Sequence, residues 1–330
     1  MVPVEQYIQT NLYAAWICIT LSFIVLFKCA DLFVDSSVEV ARRFRIPRLI
    51  IGIILVSLAT TLPELAVSVI AAFKGSPEIS IGNAMGSVVC NTGLALALSG
   101  IITLYTIAVI PSIFHVSAIF LIGIEIILFF FIIFDNTLSR FEGIVLIVLF
   151  AGYVVFLVKD FGRDNPEQET TYNKQRSIMR LCLSFLCALA GILIASRFIV
   201  TSANTIADSF HIPASIIAMT LVAFGTSVPE VATCIAAARK GEGSLAVGNI
   251  LGANIMNICW VAGASAVVNN LTLGRKDILF MFPSMFIIVG IMLFMLRLNY
   301  SLNLKKGIIL LSLYMLYLVN LFIFFPLQLN

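Results

Sequence analysis

Two short polar motifs, each ending in a proline and a glutamate, interrupt otherwise apolar stretches of the chain. The glutamates are Glu64 and Glu230, which directly follow Pro63 and Pro229. The hydroxyl residues four and three positions before them are Thr60 and Thr61 in the first motif and Thr226 and Ser227 in the second. Helical spacing places hydroxyl and carboxylate on one side of a helix, and oxygens of this kind bind hard cations such as Ca²⁺ or Na⁺. Both motifs are therefore candidate cation sites.

A stripe of polar residues follows each motif at steps of four. Its members are Asn83, Ser87 and Asn91 in the first copy; the equivalent positions of the second copy hold Asn249, the apolar Ala253 and Asn257. Glycines at positions 82, 86, 248 and 252 lie between them and allow close contacts between membrane helices. Taken singly, Asn83 or Ser87 is as compatible with helix packing as with ion binding.

The two regions are copies of each other. Residues 27–91 and 193–257 align without a gap at a constant offset of 166. Each proline removes the amide hydrogen that the carbonyl four residues earlier would accept, so the helix is interrupted inside an apolar segment. A carboxylate at the bilayer centre costs about 2.5 to 3.5 kcal/mol. Two such costs at matched positions call for a cation, as in the binding site of a transporter.

The composition is that of a membrane protein. Of the 330 residues, 61% are hydrophobic and 11% are charged, and the mean hydropathy is +1.08. The net charge of +3 comes from scattered basic residues, which argues against nucleic acid as a partner. The seven cysteines form no C-x-x-C pair, which argues against a disulfide framework or a thiolate metal site. We expect no cofactor and no obligate protein partner, with membrane lipid as the surroundings.

Ten apolar segments are long enough to cross a bilayer as helices. They lie near residues 12–34, 48–73, 79–105, 112–134, 139–159, 178–200, 214–238, 244–268, 277–297 and 303–326. Because five is odd, the second set of five enters the membrane from the opposite side. We therefore expect an all-α integral membrane protein of ten transmembrane helices in two inverted repeats of five, residues 1–160 and 178–330, joined by a cytoplasmic linker at 161–177.

Basic residues in the connections predict the orientation. With the N-terminus outside, the inner connections hold fourteen Lys and Arg residues and the outer ones hold four. Both termini are therefore expected on the extracytoplasmic side.

One further acid, Glu125, lies in the middle of the fourth apolar segment. Its equivalent in the second half is Ile291, so the duplication does not explain it. Pairing with an unidentified group, protonation and modulation of ion entry are all compatible with the sequence.

At these motifs the sequence resembles the cation/calcium antiporter superfamily, specifically its prokaryotic sodium/calcium exchanger branch. The resemblance covers essentially the whole chain and is carried by residues 59–64, 225–230 and 237–257. It implies a transporter of a prokaryotic inner membrane, not an enzyme, that exchanges Ca²⁺ for Na⁺ by alternating access. It also implies that the first and sixth helices slide past a fixed core.

The resemblance further implies a ligand set. For Ca²⁺ the ligands would be Glu64 and Glu230 with the carbonyls of Thr60 and Thr226. For Na⁺ they would be the carbonyls of Ser57 and Ala223 with Thr61, Ser227 and Ser87, with Asn91 and Asn257 nearby. Gly86 and Gly252 stand where proton-coupled relatives usually carry an acid, which favours Na⁺.

Other functions explain buried acids as well. Exchange of Ca²⁺ or another divalent cation for H⁺ would use the same oxygens, and a passive cation channel would need no counter-ion. An intramembrane hydrolase is disfavoured, because no nucleophile or substrate cleft is recognisable.

Overall fold

The computed structural model describes residues 7–44, 46–103, 105–161, 177–209 and 223–324. In the first half the helices are α1 Leu12–Phe44, α2 Arg48–Thr60, α3 Leu62–Phe73, α4 Pro77–Ile102, α5 Pro111–Ile133 and α6 Arg140–Phe161. In the second half they are α7 Ile178–Ser209, α8 Ala223–Thr226, α9 Val228–Arg239, α10 Gly243–Val268, α11 Arg275–Arg297 and α12 Leu304–Phe324. A short 3₁₀ turn, Leu298–Tyr300, lies between α11 and α12.

Most of these helices can cross a membrane. Within the described ranges, eight are long and apolar enough, and a ninth span is obtained if α2 and α3 are counted together. The predicted span at 214–238 is covered in part, because residues 214–222 lie outside the described residues. Of the predicted linker, residues 162–176 also lie outside them. The chain is thus a helical integral membrane protein.

The two proline motifs interrupt their helices at equivalent places. Thr61, between α2 and α3, has φ −81° and ψ 1°, and Ser227, between α8 and α9, has φ −83° and ψ 0°. A proline follows each of them as the second residue of the next helix, where its missing amide hydrogen is tolerated. Helices α2 and α3 are bent by 47°. The predicted helix interruptions are therefore confirmed.

Three of the described helices contain a π-helical segment close to these motifs. The segments are Gly52–Val56 in α2, Asn91–Ala95 in α4 and Asn257–Ala262 in α10. A π segment inserts an extra residue into a helical turn and is frequent at functional sites. Here two of the three begin at an asparagine of the predicted polar stripe.

Short antiparallel strand pairs connect the two halves at the helix ends. Strand β1, Ile107–Ala108, pairs with β4, Ser301–Leu302. Strand β2, Thr137–Leu138, pairs with β3, Leu271–Thr272. Each pair takes one strand from each half, so the ends of α5 and α11 are tied together across the molecule.

Glycines bring α10 against α2. A methyl group at Gly248 would overlap the carbonyl oxygen of Leu49, and one at Gly252 would overlap that of Ile53. Both α4 and α10 are largely buried, whereas α1 and α7 are mostly exposed. The close backbone contact predicted for these two glycines is confirmed, and it sets the position of the broken helix α2 in the core.

Replacing Gly252 with alanine should therefore destabilise the protein. We expect Gly252→Ala to lower the free energy of unfolding by about 1 to 3 kcal/mol, because backbone atoms must move to admit the methyl group. The measurement is thermal unfolding of the detergent-solubilised protein. Gly123→Ala is the matched control, since no atom lies within 4 Å of its added methyl group. Equal unfolding midpoints for the two variants would contradict the proposed contact.

Candidate cation-binding site

The two helix interruptions place both predicted glutamates in the core. Glu64 and Glu230 are each the third residue of a helix, α3 and α9, and both side chains are fully buried. The first turn of a helix has free amide hydrogens and the positive end of the helix dipole, which stabilise a carboxylate. The interrupted helices therefore supply part of the electrostatic support that buried acids need.

Each carboxylate is bonded by a hydroxyl of the opposite half. The Oγ of Ser227 donates to Oε1 of Glu64 at 3.3 Å. The Oγ1 of Thr61 donates to Oε1 of Glu230 at 3.2 Å. The two carboxylates are also close enough for their charges to repel each other. The motifs thus meet in one cluster of buried oxygen atoms, to which both halves contribute.

Several buried polar atoms of this region have no hydrogen-bond partner among the described residues. They are Oε2 of Glu64 and of Glu230, Oγ of Ser87, and both side-chain amide atoms of Asn91 and Asn257. A buried polar atom without a partner costs free energy, and such atoms are rare in native proteins. Oxygen atoms left free in this way are suited to coordinating a cation.

The two unbonded asparagines lie on segments that pack near the glutamates. The π segment that begins at Asn91 packs against α9, the helix of Glu230. The π segment that begins at Asn257 packs against α3, the helix of Glu64. Each asparagine thus begins a segment that packs against the helix of the opposite half's glutamate.

The predicted threonine and serine residues are buried, but some of their hydroxyls are occupied. Thr226 donates to Oδ1 of Asn83 at 3.0 Å, and Thr60 donates to Oδ1 of Asn249 at 3.4 Å. The Ser57 hydroxyl donates to the Ile53 carbonyl and lies 3.5 Å from the sulfur of Met256. Each of these three residues also has a backbone carbonyl oxygen, which is a further candidate ligand.

Two backbone positions complete the predicted set. The carbonyl of Ser57 accepts the amide hydrogen of Thr61 at 2.9 Å, and it also lies 3.4 Å from the Thr60 hydroxyl, which can donate to it. Ala223 is the first residue of α8. Ser57 and Ala223 each lie one helical turn before an interruption, on the same helix as Thr60 and Thr226 respectively.

Glu125 is a third buried glutamate, and it lies on a different helix, α5. Its side chain is 1% exposed and lies on the buried face of α5 with Leu121 and Leu128. Its Oε1 has no hydrogen-bond partner among the described residues.

The candidate ligand atoms of this region are neutral and anionic oxygens. In the described part of the chain, no group of three or more His, Cys, Asp or Glu side chains could hold a metal ion. A cation here would be held by two carboxylates together with hydroxyl, amide and carbonyl oxygens. Such a set suits Ca²⁺ and Na⁺ better than Zn²⁺ or copper.

Comparison with protein families gives a match over most of the chain. The sequence model of the family described as sodium/calcium exchanger protein matches residues 14–159 and 181–323. An uncharacterized membrane protein of Methanocaldococcus jannaschii is 31% identical, over 91% of this chain and 96% of its own length. The sodium/calcium exchanger MaX1 of Methanosarcina acetivorans is 27% identical, over 93% and 98%. The inner membrane protein YrbG of Escherichia coli is 35% identical, over 72% and 75%.

Solved structures of the sodium-calcium exchanger NCX_Mj have the same fold. The protein soaked with 10 mM Na⁺ and zero Ca²⁺ superposes with a TM-score of 0.81 at 29% identity, over 94% of this chain and 100% of that one. The protein soaked with 2.5 mM Na⁺ and 10 mM Sr²⁺ gives 0.81 at 28% identity, over 94% and 99%.

Proposed function

The chain belongs to the sodium/calcium exchanger family, and we propose that it is a secondary active antiporter that exchanges Ca²⁺ for Na⁺ across a membrane. One observation carries this conclusion: two fully buried glutamates, each bonded by a hydroxyl of the opposite half, keep one carboxylate oxygen without a partner. The function is transport, not enzymatic catalysis, and its substrates are the two ions.

The charge of the site explains why the ions are exchanged. Without a cation, Glu64 and Glu230 hold two neighbouring negative charges inside the membrane, so moving the empty site is unfavourable. One Ca²⁺ or two Na⁺ neutralise the pair. Because both ions need the same oxygens, Na⁺ can enter only where Ca²⁺ has left. Competition of this kind couples the two fluxes.

We assign the ligands as follows. Ca²⁺ binds between Glu64 and Glu230, with the carbonyls of Thr60 and Thr226. Na⁺ binds at flanking positions, whose oxygens come from the carbonyls of Ser57 and Ala223 and the side chains of Thr61, Ser227, Ser87, Asn91 and Asn257. The free oxygens of Ser87, Asn91 and Asn257 support this assignment.

The proposed architecture is ten transmembrane helices in two inverted repeats, residues 1–160 and 178–330, with residues 161–177 as a cytoplasmic linker. In this arrangement α1 and α7 are the equivalent first helices. They pack along each other, with the rings of Phe33 and Phe185 4.6 Å apart and Oγ of Ser36 donating to Oγ of Ser184 at 3.1 Å. Their exposed position supports movement of this pair past the buried core, which would open the site to each side in turn.

We place the protein in a prokaryotic inner membrane with both termini extracytoplasmic. The excess of basic residues in the connections on one side supports this orientation. Membrane lipid is then its surroundings, and no cofactor or protein partner is needed for exchange.

Neutralising either glutamate should abolish exchange. In Glu64→Gln or Glu230→Gln one Ca²⁺ faces a single negative charge, and removing one partner of a buried charge pair costs about 3 to 5 kcal/mol. We expect Ca²⁺ uptake into proteoliposomes to fall more than about a hundredfold. Glu125→Gln, which also removes a buried acid, should keep at least half of the wild-type rate. Normal uptake by both Glu64→Gln and Glu230→Gln would contradict the assignment of these glutamates as Ca²⁺ ligands.

The coupling ion is tested by imposing one gradient at a time on the same proteoliposomes. An outward Na⁺ gradient should drive Ca²⁺ uptake, and a pH gradient or a K⁺ gradient should not. Uptake that follows the pH gradient alone would establish Ca²⁺/H⁺ exchange instead. Ca²⁺ flux that needs no counter-ion would establish a passive channel.

A further inference from the structure

Four asparagines occupy two pairs of equivalent positions, and their hydrogen bonds divide them. Both side-chain amide atoms of Asn91 and Asn257 are buried without a partner among the described residues. The amides of Asn83 and Asn249 are also buried, but both atoms of each are bonded to protein. Members of the same helical stripe therefore have different roles.

Asn83 joins the first half to the second. Its Nδ2 donates to the carbonyl oxygen of Glu64 at 3.2 Å and to Oγ of Ser68 at 2.9 Å, both on α3. Its Oδ1 accepts from Oγ1 of Thr226, the last residue of α8, at 3.0 Å. Because a carbonyl oxygen can only accept, Nδ2 must face Glu64, which leaves Oδ1 for the threonine.

Asn249 makes the equivalent connection in the opposite direction. Its Nδ2 donates to Oγ1 of Thr233 at 3.0 Å and to the sulfur of Cys234 at 3.4 Å, both on α9. Its Oδ1 accepts from Oγ1 of Thr60, the last residue of α2, at 3.4 Å, and it shares this hydroxyl with the carbonyl oxygen of Ser57, which lies at the same distance. The Thr233 hydroxyl donates to the carbonyl of Pro229 at 2.8 Å, so its oxygen is free to accept from Asn249.

Resting on the exchange function above, we propose that Asn83 and Asn249 are positioning residues and not ion ligands. Each holds the threonine at the helix interruption of the opposite half, so that the backbone carbonyl of that threonine is directed at the cation. We call the two connections the asparagine braces.

The braces act where regular helix geometry ends. Thr60 and Thr226 are the last helical residues before the interruptions, and the residues after them have non-helical ψ angles near zero. The helix alone therefore does not fix the direction of these peptide groups. Ligands must be held within about 0.5 Å of their productive positions. A loosened brace should weaken ion binding more than it slows the movement of the loaded site.

The two braces are unequal. The first uses three oxygen partners at 2.9 to 3.2 Å. The second has a sulfur acceptor and a longer contact to its threonine, both at 3.4 Å. Since sulfur is a weak acceptor, loss of Asn83 should have the larger effect.

The test is a double-mutant cycle of Asn83→Ala and Thr226→Val, in which valine keeps the backbone carbonyl and removes the hydroxyl. Na⁺-driven Ca²⁺ uptake is measured over a range of Ca²⁺ concentrations. We expect each single variant to raise the apparent KM for Ca²⁺ about tenfold and to change the maximal rate less than about twofold. The KM of the double variant should not exceed the higher of the two single-variant values. Independent effects that multiply to about a hundredfold would overturn the proposal, because Asn83 would then act apart from Thr226.

A second substitution separates bracing from ligation. Asn83→Asp keeps an oxygen and adds a charge but lacks both amide hydrogens, so it should raise the KM as alanine does. An unchanged or lower KM would identify residue 83 as a ligand and overturn the proposal. Tyr153→Phe is the matched control, since it removes a buried hydrogen bond of 2.8 Å to Ser117. A tenfold rise in KM in this control would also overturn it, because any lost buried bond would then have the same effect.

Thermal unfolding without Ca²⁺ or Na⁺ tests the braces independently of transport. Asn83→Ala and Thr226→Val should lower the midpoint by similar amounts, and the double variant should lower it no further. Additive shifts would contradict the brace.

If the variants show this coupling in thermal unfolding but the wild-type protein shows no Na⁺-driven uptake, only the exchange function is overturned. If Asn83→Ala does not fold, Ser68→Ala should give a smaller rise in KM, and an unchanged KM would overturn the proposal.

Discussion

The structure depends on keeping two neighbouring carboxylates out of water. Fully buried like charges are tolerated only where dipoles, hydrogen bonds and a counter-charge replace the lost hydration. The helix interruptions supply the dipoles, and the hydroxyls of Thr61 and Ser227 supply the hydrogen bonds. In the proposed site the transported cation would supply the counter-charge. The pair of carboxylates would then be least stable when the site is empty, which gives the proposal its physical basis for obligatory exchange.

The rest of the fold keeps the interruptions in place. Glycines let α10 touch the backbone of α2, and strand pairs taken from both halves fix the ends of the neighbouring helices. The asparagine braces then act inside this frame at the last helical residues. Helices α4 and α10 are largely buried and helices α1 and α7 are mostly exposed, as the proposed movement of the outer pair past the core requires.

Local signals in the sequence were sufficient for the helical membrane fold, the interruptions, the two buried acids and the family. A proline beside an acid in an apolar segment has few purely structural explanations. Because the motif occurs twice at matched positions, a structural role alone does not explain it. The sequence could not distinguish Asn83 from Asn91, because helical periodicity places both on one face, while their bonding depends on which residues of other helices lie opposite them. The crossed hydroxyl bonds were also not predictable, since they join residues more than a hundred positions apart. The ligand roles and the ten-helix inverted topology stay predictions.

The crossed bonding between the halves has a consequence for how such a protein could originate. The carboxylate of Glu64 accepts a hydrogen bond from Ser227, and that of Glu230 accepts one from Thr61, so neither half contains the complete proposed site. In the proposed inverted arrangement, a half-length ancestor could build that site only by inserting copies into the membrane in both orientations and pairing them. Fusion of two copies into one chain would then remove the need for balanced insertion. It would also let the halves diverge, as the exchange of Ser68 for Cys234 illustrates.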